Sequence, residues 1–143
     1  MQSTHMQEKM TANLQDKERS FMAAESALRA GEAWLLGLQS KPSVTATCTN
    51  YPCVQDKYTD ISFESQSEAW WQSRSAAYAS SLEDVATAPR YIVEFAQFVP
   101  DSPVVGNNQQ NVAGVHYYQV TARGTGADAN AVTVLQTTVG RRF

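Results

Sequence analysis

The chain is poor in the residues that form catalytic and metal centres. It contains only two histidines and two cysteines in 143 residues. Two cysteines do not complete a structural zinc site, and their spacing is not the C-x-x-C of redox enzymes. The acidic side chains within residues 56–68 also lack the D-x-D-x-D-G pattern of a calcium loop. We therefore expect no metal ion and no other cofactor.

An excess of positive charge is also missing. The sequence has 11 basic and 14 acidic side chains, a formal net charge of −3, and no basic patch. A nucleic-acid-binding domain needs such a patch, so nucleic acid is not an expected partner. With 43% hydrophobic and 17% charged residues, the chain can bury one core. We expect one globular domain, and no run of 18 apolar residues that could span a membrane.

No proline occurs before Pro42, and this absence leaves room for a long helix. Apolar or small residues recur there every three or four positions, which is the period of an amphipathic helix. The stripe runs through Met10, Leu14, Lys17, Phe21, Ala24, Leu28, Gly31, Leu35 and Leu38. We predict one helix over residues 6–39, which at about 1.5 Å per residue would be about 50 Å long. Such a helix is longer than a small domain, so one end should project, although an ordinary core helix or a short coiled coil would show the same period.

The second half of the chain has the pattern of strands. Apolar, aromatic and β-branched residues fill residues 91–99, 115–123 and 131–139. Short connections predict an antiparallel meander, with Glu94 and Gln97 facing solvent or lying at an edge. One apolar face of this sheet needs a cover, and the second half of the helix is the obvious one. The expected helix-to-sheet core residues are Leu28, Trp34, Leu35 and Leu38. The predicted fold class is therefore α+β.

Residues 41–90 are less regular. We predict a short helix over residues 67–82, in which Trp70, Trp71 and Tyr78 belong to the domain core or, alternatively, line a ligand pocket. Earlier in the segment, Cys48 and Cys53 enclose a short turn-forming sequence. From the residues alone they are a disulfide that closes a small loop, with a stabilisation of about 2 kcal/mol in the loop-entropy model, or two free thiols.

Two features of the sequence resemble catalytic motifs, but each is better explained by a structural role in the fold. The sequence GTGADA at residues 124–129 matches a dinucleotide-binding loop, but a strand rather than a helix follows it, so we predict a hairpin turn. His116 lies within a predicted strand and has no nucleophile beside it in the sequence. A lone strand histidine is usually a packed or surface side chain, and we expect neither an enzyme nor a small-molecule substrate.

Residues 8–32 resemble the N-terminal helix of PilX-type minor pilins of type IV pilus systems. In that family an ERMAGN-like start, a charged step, an aromatic residue and an AAE-x-ALR-x-GE core follow one another. The matching positions are Glu8, Lys9, Met10, Ala12 and Asn13, then Asp16, Lys17 and Phe21, then Ala23, Ala24, Glu25, Ala27, Leu28, Arg29, Gly31 and Glu32. The match is ungapped and covers the first part of the chain only.

The resemblance implies a type IV pilin-like fold and a role in assembly. A minor pilin of this kind joins other minor pilins and the major pilin, primes the fibre at its tip and presents a PilY-like adhesin. It would sit in the inner membrane with a periplasmic head before it enters the pilus. Met10, Leu14 and Phe21 would then be the contacts of the helix with the pilus bundle. The periplasmic setting also implies that Cys48 and Cys53 form a disulfide, although many pilins place theirs near the C-terminus.

Family members begin with a leader and an apolar helix, and neither is present in this sequence. We expect a soluble form that lacks the apolar half-helix, in which residues 1–6 are a cloning remnant, residues 7–39 the helix and residues 40–143 the globular head. Without that half-helix, the three bundle contacts would be exposed.

The loop between the first two long strands is the segment most suited to a variable partner contact. It is polar and rich in turn formers, and its candidate contact residues are Asp101, Asn107, Asn108, Gln109 and Asn111. Two other functions fit parts of the sequence: a minor pseudopilin of a type II secretion system, and a soluble periplasmic ligand-binding module built on the aromatic residues of residues 67–82. A long helix with one exposed apolar end would favour assembly, whereas an apolar pocket with convergent polar groups would favour ligand binding.

Overall fold

The computed structural model describes residues 2–78, 85–102 and 113–143 as one long helix packed on a mixed sheet. The elements are α1 (Gln2–Leu36), β1 (Val44–Thr45), β2 (Val54–Asp56), a 3-10 turn (Phe63–Ser65), α2 (Glu68–Arg74), β3 (Ala76–Ala77), β4 (Arg90–Pro100), β5 (Gly114–Thr125) and β6 (Val132–Arg141). This is the α+β, pilin-like architecture that the sequence predicts.

The long helix is confirmed, with boundaries that differ from the prediction at both ends. It begins at Gln2, inside the six residues that we had set aside, because neither proline nor glycine interrupts the helical sequence there. It ends at Leu36, three residues before the predicted end. The N–H of Gly37 still donates to the carbonyl of Ala33 (2.9 Å), and that of Leu38 reaches Leu35 (3.4 Å), which closes the last turn.

The predicted three-stranded meander is also confirmed. β4 pairs with β5 and β5 with β6, both antiparallel, and a bulge between Phe95 and Gln97 interrupts the first pairing. The sheet continues beyond the meander, since β2 pairs in parallel with β4 and β1 in parallel with β2, while β3 adds to β4 in an antiparallel sense. The sheet is therefore mixed rather than purely antiparallel. The added strands were not predicted, because strands of two and three residues are too short to show a sequence period.

The main core lies between α1 and one face of the sheet. Leu28 and Leu35 are buried in it together with Val54, Val93, Tyr118 and Val120, and Trp34 and Leu38 pack against it. Leu35 is fully buried, so about 2 kcal/mol of hydrophobic stabilisation attaches to its side chain. The second half of the helix thus covers the apolar face of the meander.

Small residues bring α1 unusually close to β5. The helix presents a buried row of Ser20, Ala23, Ala24, Ala27 and Gly31 to the sheet. Opposite this row, Gly124 lies so near the helix that a Cβ placed on it would be 2.3 Å from the backbone nitrogen of Ala24 and 2.5 Å from the carbonyl oxygen of Ser20. Since both atoms belong to backbone, neither can move aside without shifting the helix. This contact sets the distance between helix and sheet.

The second face of the sheet carries its own cover, made of α2 and the 3-10 turn. Trp71 of α2 is fully buried, and Glu68 forms an ion pair with Arg123 of β5. Tyr58, Phe63, Trp70 and Trp71 contact one another edge-on or tilted, with ring centroids 5.5–6.1 Å apart. The short helix predicted over residues 67–82 is thus present but ends at Arg74, and the last residues of that range lie outside the described chain.

Glu94 lies on this second face, and its predicted exposure to solvent is wrong. Its side chain is only 1% exposed, whereas Gln97, beyond the bulge, is exposed as predicted. The covering segment explains the difference, because the backbone N–H of Tyr58 donates to Glu94 Oε2 at 2.7 Å. Glu94 Oε1 and Nε2 of Gln55, its register partner on β2, are both buried, and neither has a hydrogen-bond partner among the described residues.

Burial raises the pKa of the Glu94 carboxyl above its ordinary value, against the opposing effects of the Tyr58 N–H and the Lys57 charge. A group whose pKa is higher in the folded than in the unfolded chain contributes stability that is complete below the unfolded pKa. That stability is lost as the pH rises through the folded pKa. Ionised Glu94 therefore weakens the fold near neutral pH.

We expect the substitution Gly124→Ala to destabilise the domain by about 1–3 kcal/mol, because the added methyl group meets helix backbone. Gly37→Ala is the matched control, since its Cβ would come no nearer than 3.2 Å to another atom. Urea unfolding followed by circular dichroism measures both. Equal stability of the two variants would show that the helix can move away from β5 at little cost.

We expect Glu94→Gln to stabilise the domain at neutral pH, because a neutral amide removes the cost of a buried charge and still accepts the Tyr58 hydrogen bond. The gain should shrink as the pH falls and disappear below the ordinary glutamate pKa of about 4.3. Free energies of unfolding measured across this pH range test it, with exposed Glu64→Gln as the control. A gain that does not change with pH would contradict the assignment of the effect to ionisation.

Candidate functional site

The N-terminal part of α1 carries large apolar side chains that the described part of the chain leaves exposed. Residues 4–15 are all exposed, although Met10 and Leu14 belong to the apolar stripe of the helix. The exposed fractions of the large apolar side chains in this region are 64% for Met6, 62% for Met10, 65% for Leu14, 47% for Phe21 and 57% for Met22. Five large apolar side chains in less than half of a helix form a surface that monomeric domains rarely leave uncovered.

The turn between β5 and β6 is where the helix first contacts the rest of the domain. The carboxylate of Asp16 accepts hydrogen bonds from the N–H groups of Ala127 (2.6 Å) and Asp128 (3.1 Å). One residue further, Lys17 Nζ donates to the carbonyl of Val132 at 2.7 Å. Lys17 interrupts the apolar stripe, and together with Asp16 it marks the point at which the helix leaves the sheet.

A shallow apolar groove lies just past this attachment point. It has a volume of about 350 Å³ and is lined by Leu14, Lys17, Glu18, Phe21, Met22 and Thr133. Ser20 fixes the helix against the sheet beside the groove, since its hydroxyl and that of Thr133 are 2.6 Å apart. Phe21 therefore points away from the core and toward the start of β6.

The sequence-predicted site residues fall into two separate regions. Met10, Leu14 and Phe21 lie on the exposed half of α1, whereas Leu28, Trp34 and Leu35 lie on the half that packs on the sheet and Leu38 follows the end of the helix and packs against the same core. The change from exposed to buried along one stripe occurs between Phe21 and Ala24. The periodicity of the sequence does not show it, since the stripe continues through both halves.

Cys48 and Cys53 are joined in a disulfide, which resolves the two alternatives left by the sequence. The bridge closes the loop that precedes β2. In the candidate partner loop, Asp101 is paired with Arg142 at 2.7 Å, and the hydrogen bond from this guanidinium lowers the pKa of its carboxyl. Asn107, Asn108, Gln109 and Asn111 lie outside the described residues.

Trp70 and Trp71 contact each other on the second face of the sheet, whereas Tyr78 lies on the face that α1 covers. Trp71 is buried and donates from Nε1 to the carbonyl of Phe63 at 3.3 Å, while Tyr78 packs against the core under α1. The tryptophan pair is thus used in packing on the second face of the sheet.

His116 is surrounded by aromatic rings, the nearest being Phe98 with a centroid distance of 4.5 Å. Its Nδ1 is buried and has no hydrogen-bond partner within residues 2–78, 85–102 and 113–143, and burial together with the charge of Lys41 lowers the pKa of the imidazole. Within the described part of the chain, no three His, Cys, Asp or Glu side chains come together as a metal site. A search of the same residues for membrane-spanning helices finds none of sufficient length and apolarity.

The contact that attaches the helix to the β5–β6 turn was not visible in the sequence. The Asp16 contact joins residues more than 100 positions apart, and an acidic residue on a helix surface carries no signal of such a partner. The segment 124–129 does form the predicted hairpin turn, with Gly126 N–H donating to the carbonyl of Ala131 at 2.9 Å. The turn and the helix were each predictable, but their contact was not.

The family of the chain follows from comparison with known proteins. The family model described as type IV pilus assembly protein PilX, C-terminal, matches residues 32–141, which is most of the chain. Searches of the curated proteins and of the solved structures return no match. The matched region includes the last turn of α1 and the whole sheet, and it is separate from most of residues 8–32, on which the helix resemblance rests. The chain belongs to the PilX family of type IV pilus assembly proteins.

Proposed function

We propose that the chain is a minor pilin that takes part in starting pilus assembly at the fibre tip, together with other minor pilins. The observation that carries the proposal is the exposed apolar half of α1. A helix that ends its contact with the domain at Asp16 and continues for 14 residues with Met6, Met10 and Leu14 exposed is suited to pack among other helices. Membership of a pilus assembly family supports the same role.

In this proposal the protein works by packing and not by catalysis. The exposed half of α1, with Met10, Leu14 and Phe21, continues a helical bundle that it shares with other minor pilins and the major pilin. The apolar helix that the family places before this segment holds the subunit in the inner membrane, with its head in the periplasm, until the subunit enters the fibre. There the head contacts its neighbours and helps present a PilY-like adhesin, which links the protein to adhesion and twitching motility.

The exposed and buried halves of the stripe should differ in stability measurements. We expect Leu28→Ala to lower the free energy of unfolding by about 2–5 kcal/mol, because it opens a cavity under the helix. Leu14→Ala should change it by less than about 0.5 kcal/mol, because Leu14 is 65% exposed. Chemical unfolding of the two variants measures both values. Equal losses would mean that the first half of the helix is packed in solution.

Pilus assembly, in contrast to stability, should be sensitive to substitutions on the exposed half of α1. In cells that lack the native gene, we expect the full-length protein with Leu14→Glu to leave few surface pili, because a carboxylate in a helical bundle is costly to bury. Leu36→Glu is the matched control, since Leu36 is 58% exposed on the same helix but lies at its domain end. Counts of surface pili, twitching zones and co-purified minor pilins measure the effect. Normal piliation by Leu14→Glu at a normal protein level would contradict the proposal.

A further inference from the structure

The sheet ends in a long strand whose outer edge is unpaired in the described part of the chain. β6 pairs with β5 along its whole length, from Val132 opposite Thr125 to Arg141 opposite His116, and no described strand lies on its other side. The opposite end of the sheet is different, because β1 there has only two residues. A strand edge exposes a row of N–H and C=O groups whose natural complement is another extended backbone.

Over residues 132–140, β6 lacks the usual devices that protect an edge, and charge occurs only at the two ends of the strand, where Lys17 Nζ donates to the carbonyl of Val132 and Arg141 is the last residue. Natural sheets shorten their edge strands, place charges or proline on them, or bend them with bulges. The segment 132–140, VTVLQTTVG, contains no proline and no charged residue, and its pairing with β5 shows no register shift. Its valines and threonines favour extended structure. Between these two ends, the edge is therefore regular and uncharged, and no described strand occupies it.

Side chains of α1 line the side of this edge that faces the helix. The apolar groove at Leu14 and Phe21 borders Thr133, near the beginning of β6. Four residues further along the same face, the hydroxyl of Thr137 donates to Glu32 Oε1 at 2.8 Å. Earlier on the helix than Glu32, the carboxylate of Glu25 forms an ion pair with Arg29, with an N–O distance of 2.8 Å. A strand added to β6 would thus pass an apolar groove and then a carboxylate.

The same carboxylate argues against a second copy of the chain as the occupant. Two β6 strands that pair antiparallel, edge to edge, are related by a two-fold axis near the middle of the strand. Both helices would then lie on the same side of the joined sheet, and Glu32 of each copy would stand near the axis, beside its own Thr137. Two half-buried carboxylates close to an axis repel each other.

We propose that the β6 edge accepts an extended segment of a different protein, which joins the sheet as a further strand. That segment carries an apolar side chain for the groove beside Thr133 and a lysine or arginine, four residues away on the same face, for Glu32. Backbone hydrogen bonds supply the affinity, and these two side chains supply the choice of partner. The inference depends on the described fold alone and does not require the proposed role in pilus assembly.

The test uses the purified domain and a synthetic peptide as long as β6. The peptide alternates valine and threonine and places a leucine and a lysine four residues apart on one face. We expect saturable binding in fluorescence anisotropy, with slowed amide hydrogen exchange at Val132–Arg141. N-methylation of the amides that face β6 should abolish binding, because it removes the donors. Exchange of the peptide lysine for glutamate should weaken binding by at least about tenfold, the effect of ~1.4 kcal/mol.

Substitution in the protein separates Glu32 from general charge attraction. Glu32→Gln keeps an acceptor for Thr137 and should reduce the preference for lysine over glutamate in the peptide at least about tenfold. Glu8→Gln, at an exposed position on the same helix, should leave that preference unchanged.

The proposal is overturned if the N-methylated peptide binds as well as the parent, if the lysine peptide shows no saturable binding, or if protection appears away from β6. It is also overturned if the domain alone forms a dimer that protects the β6 amides as its concentration rises, because a second copy would then occupy the edge.

Discussion

The close contact between α1 and β5 is the constraint on which the rest of this structure depends. At Gly124 the helix backbone and the strand backbone approach within the space of a single methyl group, and alanine, serine and glycine face the strand along the helix. So close an approach leaves little freedom for the helix to slide or roll. It also lets the larger side chains on either side, such as Leu28 and Tyr118, meet in one continuous core.

The attachment at Asp16 follows from this packing. Once the helix lies against Gly124, its preceding turn reaches the hairpin at residues 126–130, where backbone N–H groups are available to a carboxylate. The same turn brings Lys17 to Val132 and Ser20 to Thr133. Beyond this point the described part of the sheet ends, and the side chains of the apolar stripe are exposed. The exposed half of the helix therefore results from the length of the sheet as much as from the sequence of the helix.

The sequence predicts the elements of this fold better than it predicts their contacts. A helix of some 35 residues and three long strands each carry a period that is read locally. Glu94 shows the limit, since its place in the strand was correct and its exposure was not. Whether a strand residue is buried depends on what covers it, here a segment around Tyr58 with no regular period. The parallel strands β1 and β2 were missed for the same reason, because two or three residues give no pattern.

The helix runs unbroken from Gln2 to Leu36, and the head is clamped to it on both sides of Gly124. The globular head and the exposed half of α1 therefore behave as one rigid body, so the orientation of one fixes the orientation of the other. Adding a single residue between the free end and Asp16 would turn the head by about 100° and lengthen the helix by about 1.5 Å. The number of residues between the exposed apolar side chains and Asp16 therefore sets the position of the sheet along the helix axis. It also sets the direction in which the sheet faces relative to a partner bound to the exposed half of the helix.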